Sequence, residues 1–284
     1  MSSVITLTTD FGISDAYVAS VKGVIISINP QAVIVDISHS VEPRNILQAA
    51  FVLSTVHSYF PDGTIHLIIV DPGVGSQRKA IILRTPSAYF LAPDNGVLSY
   101  IINDIYPKSA TTRIVSLSSP ELRDIRGHIE VISITNPVFW RQPVSSTFHG
   151  RDIFAPVAAH LSLGISINQF GEAIDCVNAF PVPQPCYDSA GTLVGCILYI
   201  DNFGNLITNI RADDLPHGEI KIEIGNHVIH GVTRFYAEKK GLAAIMGSCG
   251  YLEISFSNGN AATFLGAKVG DKVMLVIKGD RTST

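Results

Sequence analysis

Residues 65–78 of the chain read IHLIIVDPGVGSQR, and this stretch determines how the flanking sequence is interpreted. Its first six residues are mostly apolar, which predicts a buried strand. Two glycines and a proline then keep the chain out of regular structure, so the strand runs into a loop. In α/β sheets, loops at the carboxyl ends of strands bind ligands. This loop carries an acid, Asp71, and a cation, Arg78. A DPG turn closed by a surface ion pair would explain the same residues.

Strand and helix patterns alternate on the amino-terminal side of this loop, which is typical of a mostly parallel sheet covered by helices on both faces. After the loop, two short apolar runs follow each other closely and predict paired strands, so we expect the sheet to become mixed. The strand candidates are residues 4–8, 33–37, 65–70, 80–84, 89–93, 114–117 and 129–134, and the helix candidates are residues 17–28, 45–59 and 153–163.

A proline-rich segment separates this α/β pattern from a different one. Three prolines between positions 181 and 185 exclude a helix or a central strand there. We therefore predict an amino-terminal α/β domain over residues 1–177, a linker over 178–189 and a carboxyl-terminal all-β, barrel-like domain over 190–284. The last domain shows short strand patterns separated by Gly, Asn and Asp turns and no convincing helix. Its strand candidates are residues 192–201, 206–210, 219–224, 228–232, 243–246, 251–256 and 272–277.

Composition and charge restrict the class of ligand. The 284 residues are 46% hydrophobic, which is enough for a large core. The formal net charge is −4 and there is no cluster of lysines or arginines, so we expect the ligand to be a small molecule rather than a nucleic acid. The apolar runs fall far short of the ~20 residues that span a bilayer. No secretory signal is visible, so we expect a cytoplasmic protein. The four cysteines show no C-x-x-C spacing, so we expect reduced thiols and no metal site.

Polar stretches at three other places also interrupt the apolar pattern at element boundaries. They read TDFG at residues 9–12, STFHGRD at residues 146–152 and DNFGN at residues 201–205. Each one carries a titratable side chain where a strand or helix pattern begins or ends. Together with the loop after residue 70, they suggest that one site is assembled from distant parts of the chain.

Two further motifs are PDNG at residues 93–96 and GYLEI at residues 250–254. Together with the stretches above, they follow the order found in the S-adenosylmethionine hydroxide adenosyltransferase family. The chain resembles this family over nearly its whole length. The family is related to enzymes that make 5′-fluoro- and 5′-chloro-adenosine. The resemblance implies cleavage of S-adenosyl-L-methionine to adenosine and methionine by an activated water at the ribose C5′ carbon. It also implies that no cofactor is needed, and that the protein is a homotrimer with substrate bound between subunits.

The resemblance also implies roles for individual residues. Asp71, Arg78 and His149 match the family's reactive residues, and we call them the reactive trio. Asp10 matches the carboxylate that holds the ribose hydroxyls. Further matches for substrate binding are Asn95, Asp201, Asn205, Phe235, Tyr236, Ser248 and Asn258, with Asp201 and Asn205 on the methionine and nucleoside portions and the last four around the adenine. Arg44 departs from the pattern, because the halogen-transferring relatives carry an aromatic residue there.

Several of these residues also have a purely structural explanation. Asp10 could cap a helix, and His149 could be a buried histidine with satisfied hydrogen bonds. Asp201 and Asn205 could shape a hairpin, since both residue types favour turns. Arg151 and Asp152 read as a structural pair that starts the helix at Ile153.

Two other functions use the same residues. Halide transfer to the same carbon would need a dry, apolar halide pocket, and the charge of Asp71 argues against one. Gly150 also lacks the hydroxyl that the fluoride-using relatives offer at that position. A non-catalytic binder of S-adenosylmethionine or adenosine is the second alternative. It would need only the ribose and adenine contacts and would have no use for the reactive trio.

Overall fold

The computed structural model describes residues 4–106, 119–127 and 129–277. They form two compact units, the first from residues 4–106 and 119–180 and the second from residues 181–277. The strand candidate at 114–117 lies outside the described residues. Within the described ranges, no helix combines the length and the apolar character needed to cross a membrane.

The first unit is an α/β structure. Its strands are β1 (Val4–Thr9), β2 (Val33–Ser38), β3 (Thr64–Ile69), β4 (Ala80–Arg84), β5 (Ala88–Pro93), β6 (Glu121–Asp124), β7 (Glu130–Ile134), β8 (Gly171–Ala173) and β9 (Cys176–Ala179), and its α-helices are α1 (Tyr17–Ile28), α2 (Ile46–Val56), α3 (Ser99–Ile105) and α4 (Ala155–Ser162). Seven strands form one sheet in the order β2-β1-β3-β5-β4-β7-β8. Strands β2, β1, β3 and β5 pair in parallel and the remaining pairings are antiparallel, so the predicted mixed sheet of an α/β domain is confirmed.

Strand β3 lies in the middle of this sheet and is buried along its whole length. Ile65, Leu67 and Ile69 face a core shared with α1 and α4. The alternate residues, among them His66, point to the opposite face because side chains alternate along a strand. Each fully buried Ile or Leu contributes about 1.5–3 kcal/mol of transfer free energy, so this strand is a rigid support for the loop that follows it.

The second unit is an antiparallel, barrel-like sheet, as predicted. Its elements are β10 (Cys186–Tyr187), β11 (Leu193–Ile200), β12 (Leu206–Arg211), β13 (Ile220–Ile224), β14 (His227–His230), β15 (Leu242–Met246), β16 (Tyr251–Phe256), α5 (Ala261–Leu265) and β17 (Lys272–Ile277). The strand order is β14-β13-β17-β11-β12-β16-β15, with β10 paired to β11. Just after β14, the Thr233 N–H donates to the Ala244 carbonyl on β15 (2.8 Å), which brings the two ends of the sheet together.

The prediction of no helix in this unit is wrong, because α5 is present. The side chain of Asn260 caps its first turn by accepting a hydrogen bond from the Thr263 N–H (2.7 Å), and Gly266 ends it with a left-handed backbone (φ 63°). Both are standard helix-end signals. Five residues are too few to produce a helical apolar period, which is why the sequence pattern does not reveal this helix.

The domain bounds 1–177, 178–189 and 190–284 stay a prediction. Within the first unit, β9 continues to Ala179 and pairs with β6. Phe180 is also buried there, and its N–H donates to the Ser99 hydroxyl (2.8 Å). In the second unit, β10 already pairs with β11 from Cys186 onwards.

His66 is a buried histidine on the face of β3 opposite α1 and α4. Its Nδ1 lies 2.8 Å from the Thr6 hydroxyl, and its ring stacks on Phe90 with the centroids 5.0 Å apart. Its Nε2 is buried without a hydrogen-bond partner. Burial, helped by the nearby His57, lowers the pKa of His66 to about 4, so the ring is neutral in the folded protein.

This burial predicts acid sensitivity. The pKa of His66 in the folded protein lies below its value near 6.5 in the unfolded chain. The contribution of neutral His66 to the free energy of unfolding is therefore fully present above pH 6.5, and it is lost as the pH falls from about 6.5 to about 4. Between pH 7 and pH 5 the loss in the free energy of unfolding should be about 2 kcal/mol, measured by urea denaturation. His66→Asn should remove most of this pH dependence, whereas the exposed His217→Asn should leave it unchanged. A His66→Asn protein with the full pH dependence would contradict the assignment.

Candidate active site

Four parallel strands of the first unit end at the same edge of the sheet, and a polar loop follows each of them. Thr9 at the end of β1 is in register with Ile69 at the end of β3, so Asp10 and Asp71 follow neighbouring strands at the same edge, one and two residues beyond this pair. His39 follows β2, and Asn95 follows β5. This is the edge at which α/β sheets bind ligands, because the loops there converge.

Arg78 holds Asp71 with a forked contact. Its Nε lies 2.9 Å from both carboxylate oxygens of Asp71, and its Nη2 donates to Oδ2. Both side chains are about nine-tenths buried. A bidentate, charge-assisted contact of this kind fixes the plane of the carboxylate as well as its position. The two residues are therefore joined within one loop, as the alternative of a turn closed by an ion pair requires. The pair is buried, however, and does not lie on the surface.

Arg78 also reaches His149, which comes from a distant part of the chain. Its Nη2 lies 2.9 Å from His149 Nδ1. A guanidinium is only a donor, so Nδ1 must be the acceptor and the proton of the neutral ring must sit on Nε2. The reactive trio is thus brought together around one guanidinium. His149 is only half-buried and is bonded to a charged partner, so it is not a satisfied core histidine.

The surroundings of His149 favour its neutral form. Burial lowers the pKa of His149, and the positive charge of Arg78 lowers it further, while Asp71 and Asp152 act in the opposite direction. The net pKa lies below the ordinary value of 6.5. His149 is therefore neutral at neutral pH, in agreement with the acceptor role of Nδ1.

The segment after His149 is wound as a π-helix over Gly150–Phe154, and α4 continues it from Ala155. Single π turns are rare and often found at functional sites. Asp152 is fully buried here and bonds to Arg151 Nε (2.7 Å) and to the Ser145 N–H (2.9 Å). Burial raises the pKa of Asp152, but these hydrogen bonds outweigh it and leave the pKa below its usual range. Arg151 and Asp152 are thus a structural pair. The α-helix after them begins at Ala155 rather than at the predicted Ile153.

Gly75 brings the Asp71 loop into direct contact with the segment before His149. Its backbone is left-handed (φ 78°), and a Cβ atom built there would lie 2.5 Å from the Ser146 carbonyl oxygen. Only glycine tolerates both the dihedral angle and the close approach. This contact explains why a glycine separates Asp71 and Arg78.

Asp10 is held by the backbone of Arg44. The Arg44 N–H donates to Asp10 Oδ2 (2.7 Å), and Arg44 has a positive φ of 68°, which is uncommon for a residue with a side chain. Helix α1 begins only at Tyr17, so Asp10 does not cap it. The contact that involves Arg44 is therefore made by its main chain.

Asn95 connects the loop after β5 to the end of β3. Its Nδ2 donates to the Val70 carbonyl (2.9 Å), directly before Asp71, and its Oδ1 accepts from the Val97 N–H (3.2 Å). The side chain thus supports the Asp71 loop from the neighbouring strand.

In the second unit, Asp201 organises the turn between β11 and β12. Its Oδ1 accepts hydrogen bonds from the Phe203 and Asn205 N–H groups (2.9 and 2.8 Å), and its Oδ2 accepts from Asn205 Nδ2 (2.8 Å). The hairpin explanation of these two residues therefore accounts for the contacts they make. Phe203, between them, is 76% exposed.

Tyr236 and Glu253 form a pair in the same unit. The Tyr236 hydroxyl donates to Glu253 Oε2 (2.8 Å). Burial is the main cause that raises the pKa of Tyr236 and of Glu253, and the negative charge of Asp201 raises both further. The pKa of Tyr236 rises to about 12. Asp201, Tyr236 and Glu253 are therefore close together. No role was predicted for Glu253, although an acid between Leu252 and Ile254 in a buried strand was a usable signal.

The remaining predicted residues lie on exposed parts of the second unit. Phe235 is 57% exposed beside Tyr236. Ser248 lies in the turn between β15 and β16. Asn258 lies in the turn after β16 with a left-handed backbone (φ 56°), a conformation that asparagine tolerates better than most residues. The turn geometry thus explains the choice of asparagine at this position.

Comparisons with known proteins point in one direction. Residues 5–171 match the family described as the SAM hydroxide adenosyltransferase N-terminal domain, and residues 195–274 match the corresponding C-terminal domain. The chain is 33% identical to the (R)-S-adenosyl-L-methionine hydrolase of Methanocaldococcus jannaschii, over 96% of this chain and 95% of that protein. It is 33% identical to the hydrolase of the same name from Thermus thermophilus, over 94% and 97% of the two chains.

More distant and structural relatives agree with this. A fluorinase from an Actinoplanes species is 29% identical over 76% of this chain and 74% of its own. Among solved structures, an uncharacterized conserved protein from Thermotoga maritima superposes with a TM-score of 0.80 at 33% identity, over 96% of this chain and 99% of that one.

The contact between Arg78 and His149 predicts a change in titration. Arg78→Met removes a positive charge that lowers the pKa of His149, so that pKa should rise, as measured by NMR titration of the His149 ring. Arg78→Lys keeps the charge and should change it less. The exposed neighbour Lys79→Met serves as the control and should leave the titration unchanged. An unaltered His149 pKa in Arg78→Met would show that the guanidinium does not govern this histidine.

Proposed function

Since the chain belongs to the SAM hydroxide adenosyltransferase family, we propose that it hydrolyses (R)-S-adenosyl-L-methionine to adenosine and L-methionine, with the reactive trio at the reacting atoms. The observation that carries this proposal is the Arg78 fork, which joins Asp71 and His149 from separate parts of the chain. The names of the relatives supply the substrate and its configuration at sulfur.

The reaction is a displacement at the ribose C5′ carbon. The water oxygen forms a bond to C5′ while the C5′–S bond breaks and its electron pair stays on sulfur. The sulfonium thereby leaves as the neutral thioether of methionine, so the leaving group needs no proton. One proton of the attacking water passes to a base, and the other remains in the 5′-hydroxyl of adenosine. The protein must therefore position and activate a weak nucleophile.

Asp71 is the proton acceptor in this scheme. The single lone pair of His149 Nδ1 already accepts from Arg78, whereas each carboxylate oxygen of Asp71 keeps a further lone pair beside its hydrogen bond to Arg78. The guanidinium of Arg78 can only donate, so it orients the Asp71 carboxylate and stabilises hydroxide-like charge on the water. His149 carries its proton on Nε2 and can donate it as a hydrogen bond to the same oxygen. General-base assistance and in-line positioning each lower the barrier.

Substrate binding is assigned to the residues that match the family's motifs. Asp10 holds the two ribose hydroxyls, and Asp201 and Asn205 hold the methionine and nucleoside portions. Phe235 or Tyr236 stacks on the adenine, Ser248 and Asn258 reach its edge, and Asn95 supports the loop of Asp71. The support for these roles is the match to the family's motifs, together with the places of Asp10 and Asp71 after neighbouring strands at one edge of the sheet.

Halide transfer at the same carbon is the rival, and two observations weaken it. Asp71 would place a negative charge beside the entering halide. A Cβ atom at Gly150, where the fluoride-using relatives offer a hydroxyl, would approach Ile69 Cγ2 to 3.0 Å, so a serine there requires Ile69 to move. The relatives named fluorinase are also matched over a smaller share of the chain.

A chromatographic assay tests the proposal and separates it from its rivals. Purified protein is incubated with each sulfur epimer of S-adenosyl-L-methionine, with and without chloride or fluoride. Hydrolysis yields adenosine and methionine in equal amounts, faster from the (R) epimer and without a halide. A 5′-halo-5′-deoxyadenosine would establish the transferase instead, and binding without any product would establish the non-catalytic binder.

Substitutions to asparagine should separate catalysis from binding. Asp71→Asn removes the proton acceptor but keeps the shape, so kcat should fall by roughly 10²–10⁴-fold with little change in KM. Asp10→Asn should chiefly raise KM, by roughly 10–100-fold, because it weakens charge-assisted hydrogen bonds present in both the ground and transition states. The exposed Asp62→Asn is the matched control and should alter neither. An unchanged kcat in Asp71→Asn would rule out its role as the base.

We also propose that the protein is a homotrimer whose sites combine residues of neighbouring subunits, in line with the resemblance to the family. Phe203 and Phe235 are exposed in the single chain, as residues that meet another subunit would be. Mixing inactive Asp71→Ala and Asp201→Ala proteins should restore part of the activity, since some sites then receive both intact residues. No recovery, despite demonstrated subunit exchange, would show that both residues come from one chain.

A further inference from the structure

A hydroxyl, an imidazole and a carboxylate stand in line beside Asp10. The Thr9 hydroxyl lies 2.9 Å from His39 Nδ1, and His39 Nε2 lies 3.1 Å from Asp36 Oδ1. The second contact is off the N–H direction and is electrostatic rather than a well-formed hydrogen bond. Lys22 in turn donates to Asp36 Oδ2 (2.6 Å). The proposed mechanism uses none of these four residues.

This arrangement resembles a nucleophile triad, but burial excludes that use. Thr9 is 1% exposed and His39 is 8% exposed, so no substrate atom can reach the hydroxyl oxygen. The Asp36 carboxylate favours the proton of His39 on Nε2, which leaves Nδ1 to accept from the Thr9 hydroxyl. The Thr9 oxygen is then free to accept from a further donor.

That further donor belongs to the loop of Asp10. The Phe11 N–H lies 3.3 Å from the Thr9 oxygen, and the Gly12 N–H donates to the His39 carbonyl (2.8 Å). His39 therefore holds the two residues after Asp10, one through its side chain and Thr9, the other through its main chain. On the other side, the Arg44 N–H fixes Asp10 Oδ2.

We propose that His39, through Thr9 and with Asp36 behind it, is a positioning residue that sets the direction of the Asp10 carboxylate toward the substrate. The inference rests on the proposed function, because it takes Asp10 to be a substrate-binding group. A carboxylate that must face two hydroxyls at once tolerates little rotation, so an anchored loop keeps it ready for binding.

The chain supplies a matched control on the same strand. Thr6 is also buried on β1, and its hydroxyl also meets a histidine nitrogen, His66 Nδ1, at 2.8 Å. It does not bond to the Asp10 loop. Thr9→Val and Thr6→Val remove the same kind of hydrogen bond from the same strand, so both should lower the stability similarly. Only Thr9→Val should raise KM, by about fivefold, the equivalent of one hydrogen bond, with kcat nearly unchanged.

A double-mutant cycle with Asp10 completes the test. If Thr9 and His39 act through Asp10, Thr9→Val should add nothing to the KM of Asp10→Asn. Asp36→Asn gives a second measurement if Thr9→Val folds poorly, because Asp36 is partly exposed. It should raise KM when Asp10 is intact and should not raise it further in the Asp10→Asn protein.

The outcomes separate the inference from the function on which it rests. If Asp10→Asn leaves KM unchanged, the binding role of Asp10 fails. If Asp10→Asn raises KM but Thr9→Val and Asp36→Asn do not, or if their effects add to that of Asp10→Asn, the positioning role fails while the proposed function stands. Equal KM increases in Thr9→Val and Thr6→Val would indicate a general loss of packing and would also overturn the inference.

Discussion

One guanidinium joins the side chains around which the candidate active site of the first unit is built. Arg78 binds Asp71 from within its own loop and His149 from 71 residues further along the chain, and the contact with Asp71 is shielded from bulk water. Because a guanidinium only donates, it fixes the plane of the Asp71 carboxylate and makes His149 Nδ1 the acceptor, which places the proton of the neutral imidazole on Nε2. Without this guanidinium, Asp71 would lose the contact that fixes the plane of its carboxylate, and His149 would lose the donor to its Nδ1.

The fold serves to hold these side chains still. Strand β3 is buried at every residue, so the Asp71 loop starts from a rigid point. Gly75 lets this loop rest on the segment before His149, and the buried Asp152 ties that segment to the π turn. The Asp10 loop has its own anchors in His39 and Arg44. A functional site that must hold its geometry within a fraction of an ångström depends on such supporting contacts.

Much of this was predictable from the sequence, for reasons that lie in local patterns. The buried run of β3 and the strand–helix alternation predict the mixed sheet, and the short alternating runs predict the barrel-like unit. Motif order predicts that Asp71, Arg78 and His149 belong together. The anchoring of Asp10 was not predictable, because it depends on the Arg44 main chain and on His39, a residue in no motif. The pairing of Glu253 with Tyr236 and the five-residue helix α5 likewise depend on tertiary contacts that no periodicity encodes.

The central claim is that a water, organised by the reactive trio, attacks carbon C5′. A single turnover of S-adenosyl-L-methionine in water enriched in oxygen-18, followed by mass spectrometry of the products, tests it most directly. We expect one solvent oxygen in the 5′-hydroxyl of adenosine and none in methionine, because the carbon–sulfur bond breaks at C5′ and sulfur gains no oxygen. Adenosine without solvent oxygen would contradict it.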